Sequence, residues 1–189
     1  MHRRLPHSKK EGCGYFVTWR LSGSMPVTKS VAQRGSAGSR FAEADAMLDR
    51  ADHGPKWLVL KEVAEAIVPT MLQGEVDGEY ELGPWVLMPD HVHLVFRPTA
   101  DLAGAIRRLK GRTGFSANRV LGRSGPFWEK DYYDRLIRDA AEEARIARYI
   151  EQNPVRAGLC LRPGEWQWSS LWTRLQSRPG EVQQQGATS

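Results

Sequence analysis

Apolar positions in this chain switch between strand-like and helix-like spacing, and the switches mark its elements. Tyr15 to Leu21, Y-F-V-T-W-R-L, is dense in β-branched and aromatic residues and predicts a first strand. Residues 22–39 mix Gly, Ser, Pro and Lys without a period and read as loop. Phe41, Ala44, Met47 and Leu48 predict a short helix over 40–50, stopped at Asp52-His53-Gly54-Pro55. Leu60, Val63, Ala64, Ile67, Val68 and Met71 recur at helical spacing and predict an amphipathic helix over 58–72, with a turn at 74–78. Tyr80 to Met88 and His91 to Phe96 read as two strands joined by a bend at Pro89-Asp90. A second helix is expected over 102–121, interrupted near Gly111 and Gly114, then a turn at 122–126 and a strand over 133–138. Asp139 is a good N-cap, with Glu142 three residues on as in a capping box, so a further helix is expected to about Gln152. Pro154 disfavours helical backbone before it and puts Asn153 in the last turn. Trp166, Trp168 and Trp172 read as cover for part of the core. The order β-α-β-β-α-β predicts an α+β, ferredoxin-like antiparallel sheet with its helices on one face, plus a C-terminal helix.

Length and composition then bound the organisation. At 189 residues, 41% hydrophobic and 26% charged, the chain has the make-up of one globular domain. We expect a basic arm over 1–13, a single domain over 14–175 with a loop-rich excursion over 22–55, and a polar, disordered tail over 176–189. No apolar run approaches the roughly 18 residues of a membrane helix, and none follows the basic N-terminus as a secretory signal would require. Cys13 and Cys160 fit no metal or redox spacing and read as free thiols, so a cytoplasmic protein is expected. Net charge is +5. Ten basic residues against four acidic ones fall between Arg97 and Arg138, leaving the remainder near neutral. Such a block suggests a polyanion lying across that region, against the plainer reading of a solvated helix face.

The block follows His91-Val92-His93 directly. In a strand, alternate side chains share a face, so Val92, Leu94 and Phe96 are expected to face the helices and His91, His93 and Val95 the open side. Two neutral imidazoles on one face form a two-point grip on a divalent ion. Two strand histidines with ordinary hydrogen bonds are the competing reading.

The last predicted helix carries Tyr149 and Asn153, one turn apart on a single face. If that face covers the histidine side, the Asn153 oxygen completes a ligand set and the Tyr149 hydroxyl lies beside the ion. His and Asn with open water positions suit Mg²⁺ or Mn²⁺ better than structural zinc. A helical tyrosine is otherwise a core or capping residue.

P-D-H-V-H-L-V-F, L-K-G-R-T, G-P-F-W-E-K-D-Y-Y-D-R-L-I-R-D, R-Y-I-E-Q-N-P-V-R-A-G-L and W-Q-W-S-S stand here in that order. Together they resemble the REP-associated tyrosine transposases, single-tyrosine members of the HUH nuclease superfamily related to small insertion-sequence transposases. The likeness runs over about residues 5–172, and the ordered set is more specific than any one motif. It implies that His91 and His93 bind metal, that Asn153 is a third ligand and that Tyr149 is the nucleophile. The implied reaction is sequence-specific cleavage and rejoining of single-stranded or hairpin DNA at REP-like palindromes through a covalent 5′-phosphotyrosine. The phosphotyrosine keeps the bond energy, so no nucleotide cofactor is needed. Asp90 is open to a supporting contact with a histidine.

Arg107, Arg108, Lys110 and Arg112 are the main expected phosphate contacts, with Arg123 and Arg138 in the same basic block. Trp128, Tyr132 and Tyr133, interleaved with Lys130 and Arg135, are candidates for stacking on unpaired bases, against core packing. Monomer and homodimer are both open. The alternatives are a non-catalytic hairpin-binding protein retained by its host and a small-substrate metallohydrolase. The second lacks any recognisable spacing of further acidic or histidine ligands.

Overall fold

The computed structural model describes residues 14–24 and 54–177. Four strands, β1 (Tyr15–Arg20), β2 (Tyr80–Leu87), β3 (His91–Pro98) and β4 (Tyr133–Leu136), form one sheet in the order β2-β3-β1-β4. All neighbours are antiparallel. Helices α1 (Lys61–Val76) and α2 (Leu102–Val120) complete the expected β-α-β-β-α-β order, and α3 (Ala140–Arg156) and α4 (Ser170–Gln176) follow. The architecture is the ferredoxin-like α+β sheet that the pattern predicts. The helix expected over 40–50 lies outside the described residues, as do both termini and most of the 22–55 excursion.

Alternation along the strands separates two cores. Val17 and Trp19 of β1 and Val92, Leu94 and Phe96 of β3 pack with Val63, Ile67 and Met71 of α1 and Ile106 and Leu109 of α2. On the other face Phe16, Val86, Met88 and Val95 pack with Ile146 and Ile150 of α3. That second face is therefore not open, as the strand pattern alone predicts, but is covered by α3. Burying Ile146 and Ile150 there contributes roughly 1.5–3 kcal/mol each, which a helix with an apolar stripe obtains only by docking.

Three element boundaries depart from the sequence pattern. Helix α1 continues through Gly74 to Val76, because Gly74 is a packing glycine: a Cβ there would lie 2.1 Å from Tyr80 Oη, which donates to Met71 O at 2.7 Å. Helix α2 is unbroken across Gly111 and Gly114. At Gly114 the missing side chain lets Phe127 and Trp128 pack close, with Trp128 3.3 Å from the Cβ position. Helix α3 runs past Pro154 to Arg156. Asp139 caps it as expected, accepting from Glu142 N–H at 2.7 Å. The reciprocal half of the capping box is replaced: the Glu142 carboxylate accepts from Arg138 N–H at 2.9 Å, one residue before the cap.

The segment from Trp166 to Ser170 closes the exposed edge of β2. Leu87 N–H donates to Trp168 O at 2.9 Å, and Trp85 N–H donates to Ser170 Oγ at 3.0 Å. Trp166 packs on the α3 core and donates its indole N–H to Leu87 O at 2.8 Å. Satisfying an edge strand in this way removes a template for wrong pairing.

Candidate active site

Register builds the site. Antiparallel pairing sets Thr18 opposite His93 and Arg20 opposite His91, so Phe16, Thr18 and Arg20 of β1 share a face with the two histidines. His91 and His93 are 2% and 0% exposed. Their Nε2 atoms lie 3.0 Å apart. Each outer ring nitrogen has its own partner: His91 Nδ1 lies 2.6 Å from Asp90 Oδ1, and His93 Nδ1 lies 2.7 Å from Thr18 Oγ1. Asp90 also accepts from Arg20 Nη2 at 2.9 Å.

Electrostatics sharpen these roles. Burial would raise the Asp90 carboxyl, but the His91 hydrogen bond and charge and the Arg20 guanidinium outweigh it and hold the pKa below the ordinary carboxylate value. Asp90 is thus a buried carboxylate that accepts on both oxygens. Burial drives His93 well below the usual imidazole range, helped by His91, Arg156 and Arg20. A neutral imidazole is the form that binds metal.

Helix α3 brings up the other half. The Tyr149 and His93 ring centroids are 5.6 Å apart, and Phe16 meets both rings. Asn153 Nδ2 donates to Tyr149 Oη at 2.8 Å. The Arg156 guanidinium lies 4.9 Å from the centre of the Tyr149 ring. The four-residue spacing of Tyr149 and Asn153 therefore forms a hydrogen-bonded pair, and α3 sets its tyrosine beside His93.

Two observations fit this donor set to a divalent ion. Asn153 Oδ1 is buried with no hydrogen-bond partner among the described residues, an arrangement a cation would relieve. The two Nε2 atoms also face each other at 3.0 Å, and neutral imidazole nitrogen is a common ligand of divalent ions. Asp90 behind His91 supplies the carboxylate–histidine support typical of metal sites. Among the described residues no cluster of three or more His, Cys, Asp and Glu side chains is arranged to hold a metal, so the candidate set depends on the amide.

The predicted DNA contacts are scattered by comparison. Arg108 and Arg112 bind Glu79, at 3.1 Å and in a two-pronged contact at 2.8 and 3.1 Å. Lys110 donates to the carbonyls of Glu129, Lys130 and Asp131, and burial, only partly offset by Asp131 and Glu129, brings its pKa down to about 8. Arg135 and Arg138 both pair with Glu142. Arg123 stacks 4.0 Å from the Trp57 ring centre. Trp128 is buried and donates to Thr113 Oγ1 at 3.0 Å, the core role. Arg107 and Lys130 are exposed, and both line a cavity of about 620 Å³ beside α2 with the half-buried Tyr132.

The sequence pattern leaves Asp90 open and does not single out Thr18, Arg20 or Arg156. The signals are there: β1 alternation puts Thr18 and Arg20 on one face, and Arg156 lies two helical turns after Tyr149.

Residues 57–153 match the family described as "Transposase IS200 like". A "Putative REP-associated tyrosine transposase" of Haemophilus influenzae is 31% identical over 97 residues, covering 45% of this chain and 55% of that one. A "REP-associated tyrosine transposase" of Escherichia coli is 24% identical over 96 residues, covering 50% and 56%. The chain thus spans about half the length of these curated relatives. The solved structure of a REP-associated tyrosine transposase bound to a REP hairpin superposes with a TM-score of 0.62 at 15% identity, over 98% of this chain and 93% of that one, a likeness of fold.

Proposed function

Because this chain belongs to the IS200-like transposase family, we propose that it nicks and rejoins single-stranded DNA beside hairpins of REP-like palindromes, with Tyr149 as nucleophile. The observation that carries this is the meeting of the Tyr149–Asn153 pair with the histidine pair across the α3–sheet interface.

Tyr149 Oη attacks a phosphorus, the bond to the 3′ oxygen breaks, and the strand's 5′ phosphate becomes an ester of the tyrosine. The phenol loses its proton and the departing 3′ oxygen gains one. Attack by a 3′ hydroxyl reverses the exchange and reseals the strand. A free phenol, with a reference pKa of about 10, is a weak nucleophile near neutrality. Asn153 Nδ2 hydrogen-bonds the oxygen on which charge develops, and Arg156 adds positive charge beside the ring. His91, His93 and Asn153 Oδ1 would hold Mg²⁺ or Mn²⁺, which when bound polarises the phosphate and offsets its charge.

The test is incubation of the full chain with labelled hairpin DNA and Mn²⁺. The expected result is a protein–DNA adduct that survives denaturation and is absent from Tyr149→Phe and from chelator-treated samples. An equal adduct from Tyr149→Phe would overturn the assignment. Hairpin binding with no adduct, indifferent to chelator, would favour the non-catalytic binder.

A further inference from the structure

We infer that Arg145 grips a backbone phosphate of the single strand, next to the one attacked, and so leads the strand from Tyr149 toward the β4 edge. The inference rests on the reading of Tyr149 as nucleophile and extends it to the DNA that must flank the attacked phosphorus.

Helix spacing places Arg145 one turn before Tyr149, as Asn153 is one turn after it. Arg145 and Tyr149 line a pocket of about 220 Å³ together with Arg135 of β4 and Glu142 and Ile146 of α3. Tyr149 thus borders two spaces. One holds His93 and Asn153, and the other is this pocket. Sites for whole small molecules begin at roughly 300 Å³, so the pocket suits one passing segment of a strand and not a duplex.

Charge then selects Arg145. Glu142 stands three residues before it, a spacing at which the two would ordinarily pair. The Glu142 carboxylate is already filled: Oε1 accepts from Arg135 and Arg138, and Oε2 from the Arg138 N–H and Nε. Arg145 is exposed and makes no ion pair among the described residues. The pocket therefore holds two guanidinium groups against one carboxylate, and one of the two is uncommitted. A planar guanidinium with free donors matches phosphate oxygens. One helical turn rises about 5.4 Å, and phosphates of one strand recur every ~3.4 Å when stacked and farther apart when extended. Arg145 and Tyr149 can therefore meet neighbouring phosphates.

The β4 edge favours an unpaired strand. Arg135 lies opposite Phe16 and Tyr133 opposite Thr18, which puts both on the histidine face of the sheet. β4 ends the sheet, and Tyr133 is 40% exposed with its ring centre 6.3 Å from that of Phe16. Aromatic surface thus continues from the site to the edge, where an unpaired base could stack and a paired one could not.

The test compares binding of the full chain, in chelator, to two fluorescent hairpins with the same palindromic stem, one blunt and one with unpaired thymidine flanks. Across a salt series, Arg145→Gln should lower the slope of log K against log salt by about 0.7 for the flanked hairpin and leave the blunt one unchanged. Arg145→Lys should keep the wild-type slope. An unchanged slope on the flanked hairpin, or an equal loss on both, would overturn the inference. So would a lowered urea midpoint in Arg145→Gln, which would make Arg145 a structural residue. The adduct assay separates this from the reading it rests on. An adduct from wild type with an unchanged slope in Arg145→Gln sinks the contact alone, whereas a lost slope with no wild-type adduct keeps the contact and sinks Tyr149 as nucleophile.

Discussion

Two glycines show how far a single residue's role depends on what stands against it. Both sit inside helices, where Gly costs about 0.5–1 kcal/mol relative to Ala. At Gly111 a Cβ would meet nothing within 4 Å, whereas at Gly74 it would strike Tyr80 Oη. Gly111→Ala should therefore stabilise the fold by about 0.5–1 kcal/mol, and Gly74→Ala should destabilise it by about 1–3 kcal/mol through overpacking. Urea denaturation midpoints moving in opposite directions would bear this out, and midpoints moving together would refute it. The same split holds at the site. His91, His93 and Tyr149 are legible as residue types at a spacing. Asp90, Thr18 and Arg20 acquire their roles from a register that brings residues 70 or more positions apart into hydrogen-bonding range.

At the level of elements, α3 matters most, because it carries Tyr149 and Asn153 and covers the histidine face. Its first turn is tied down by Glu142, which is buried and holds Arg135, Arg138 and the Arg138 N–H. The Arg138 hydrogen bond leads in depressing the Glu142 pKa, from an ordinary 4.5 to about 2, against burial and with further help from the Arg138 N–H and Arg135. A folded-state pKa below the unfolded one stabilises above the unfolded value, and that contribution is lost as pH falls through the folded value. Wild type should thus lose this increment between about pH 4.5 and 2, and Glu142→Gln should lack it at every pH. Comparing the pH dependence of urea midpoints for the two proteins tests this, and parallel curves through that window would contradict it. The N-cap at Asp139 is readable from local sequence. Glu142 as an anchor for two arginines of the preceding segment is not, since only the path of β4 into α3 brings them together.

Across the whole molecule, the basic block changes meaning once folded. Of its ten cations, Arg97, Arg108, Arg112, Arg135 and Arg138 form ion pairs, and Lys110 is spent on carbonyls. Arg107, Arg119 and Lys130 are exposed and make no ion pair among the described residues. Hairpin affinity should accordingly fall with salt. Replacing Arg107 and Lys130 together by Gln should lower the slope of log K against log salt by about 0.7–0.9 for each phosphate left without its cation. Arg112→Gln should act mainly on stability. An unchanged slope in the double variant would remove these residues from the interface. Local physics, the strand and helix periods, the caps and the alternation that pairs His91 with His93, was enough for the sequence to determine the ferredoxin-like order and the types of residue offered for chemistry. Only the tertiary structure decided that α3 docks on the second sheet face, that the histidines are buried, and which cations remain available. Those outcomes depend on burial and on partners distant in the chain, and neither is encoded in any short window of it.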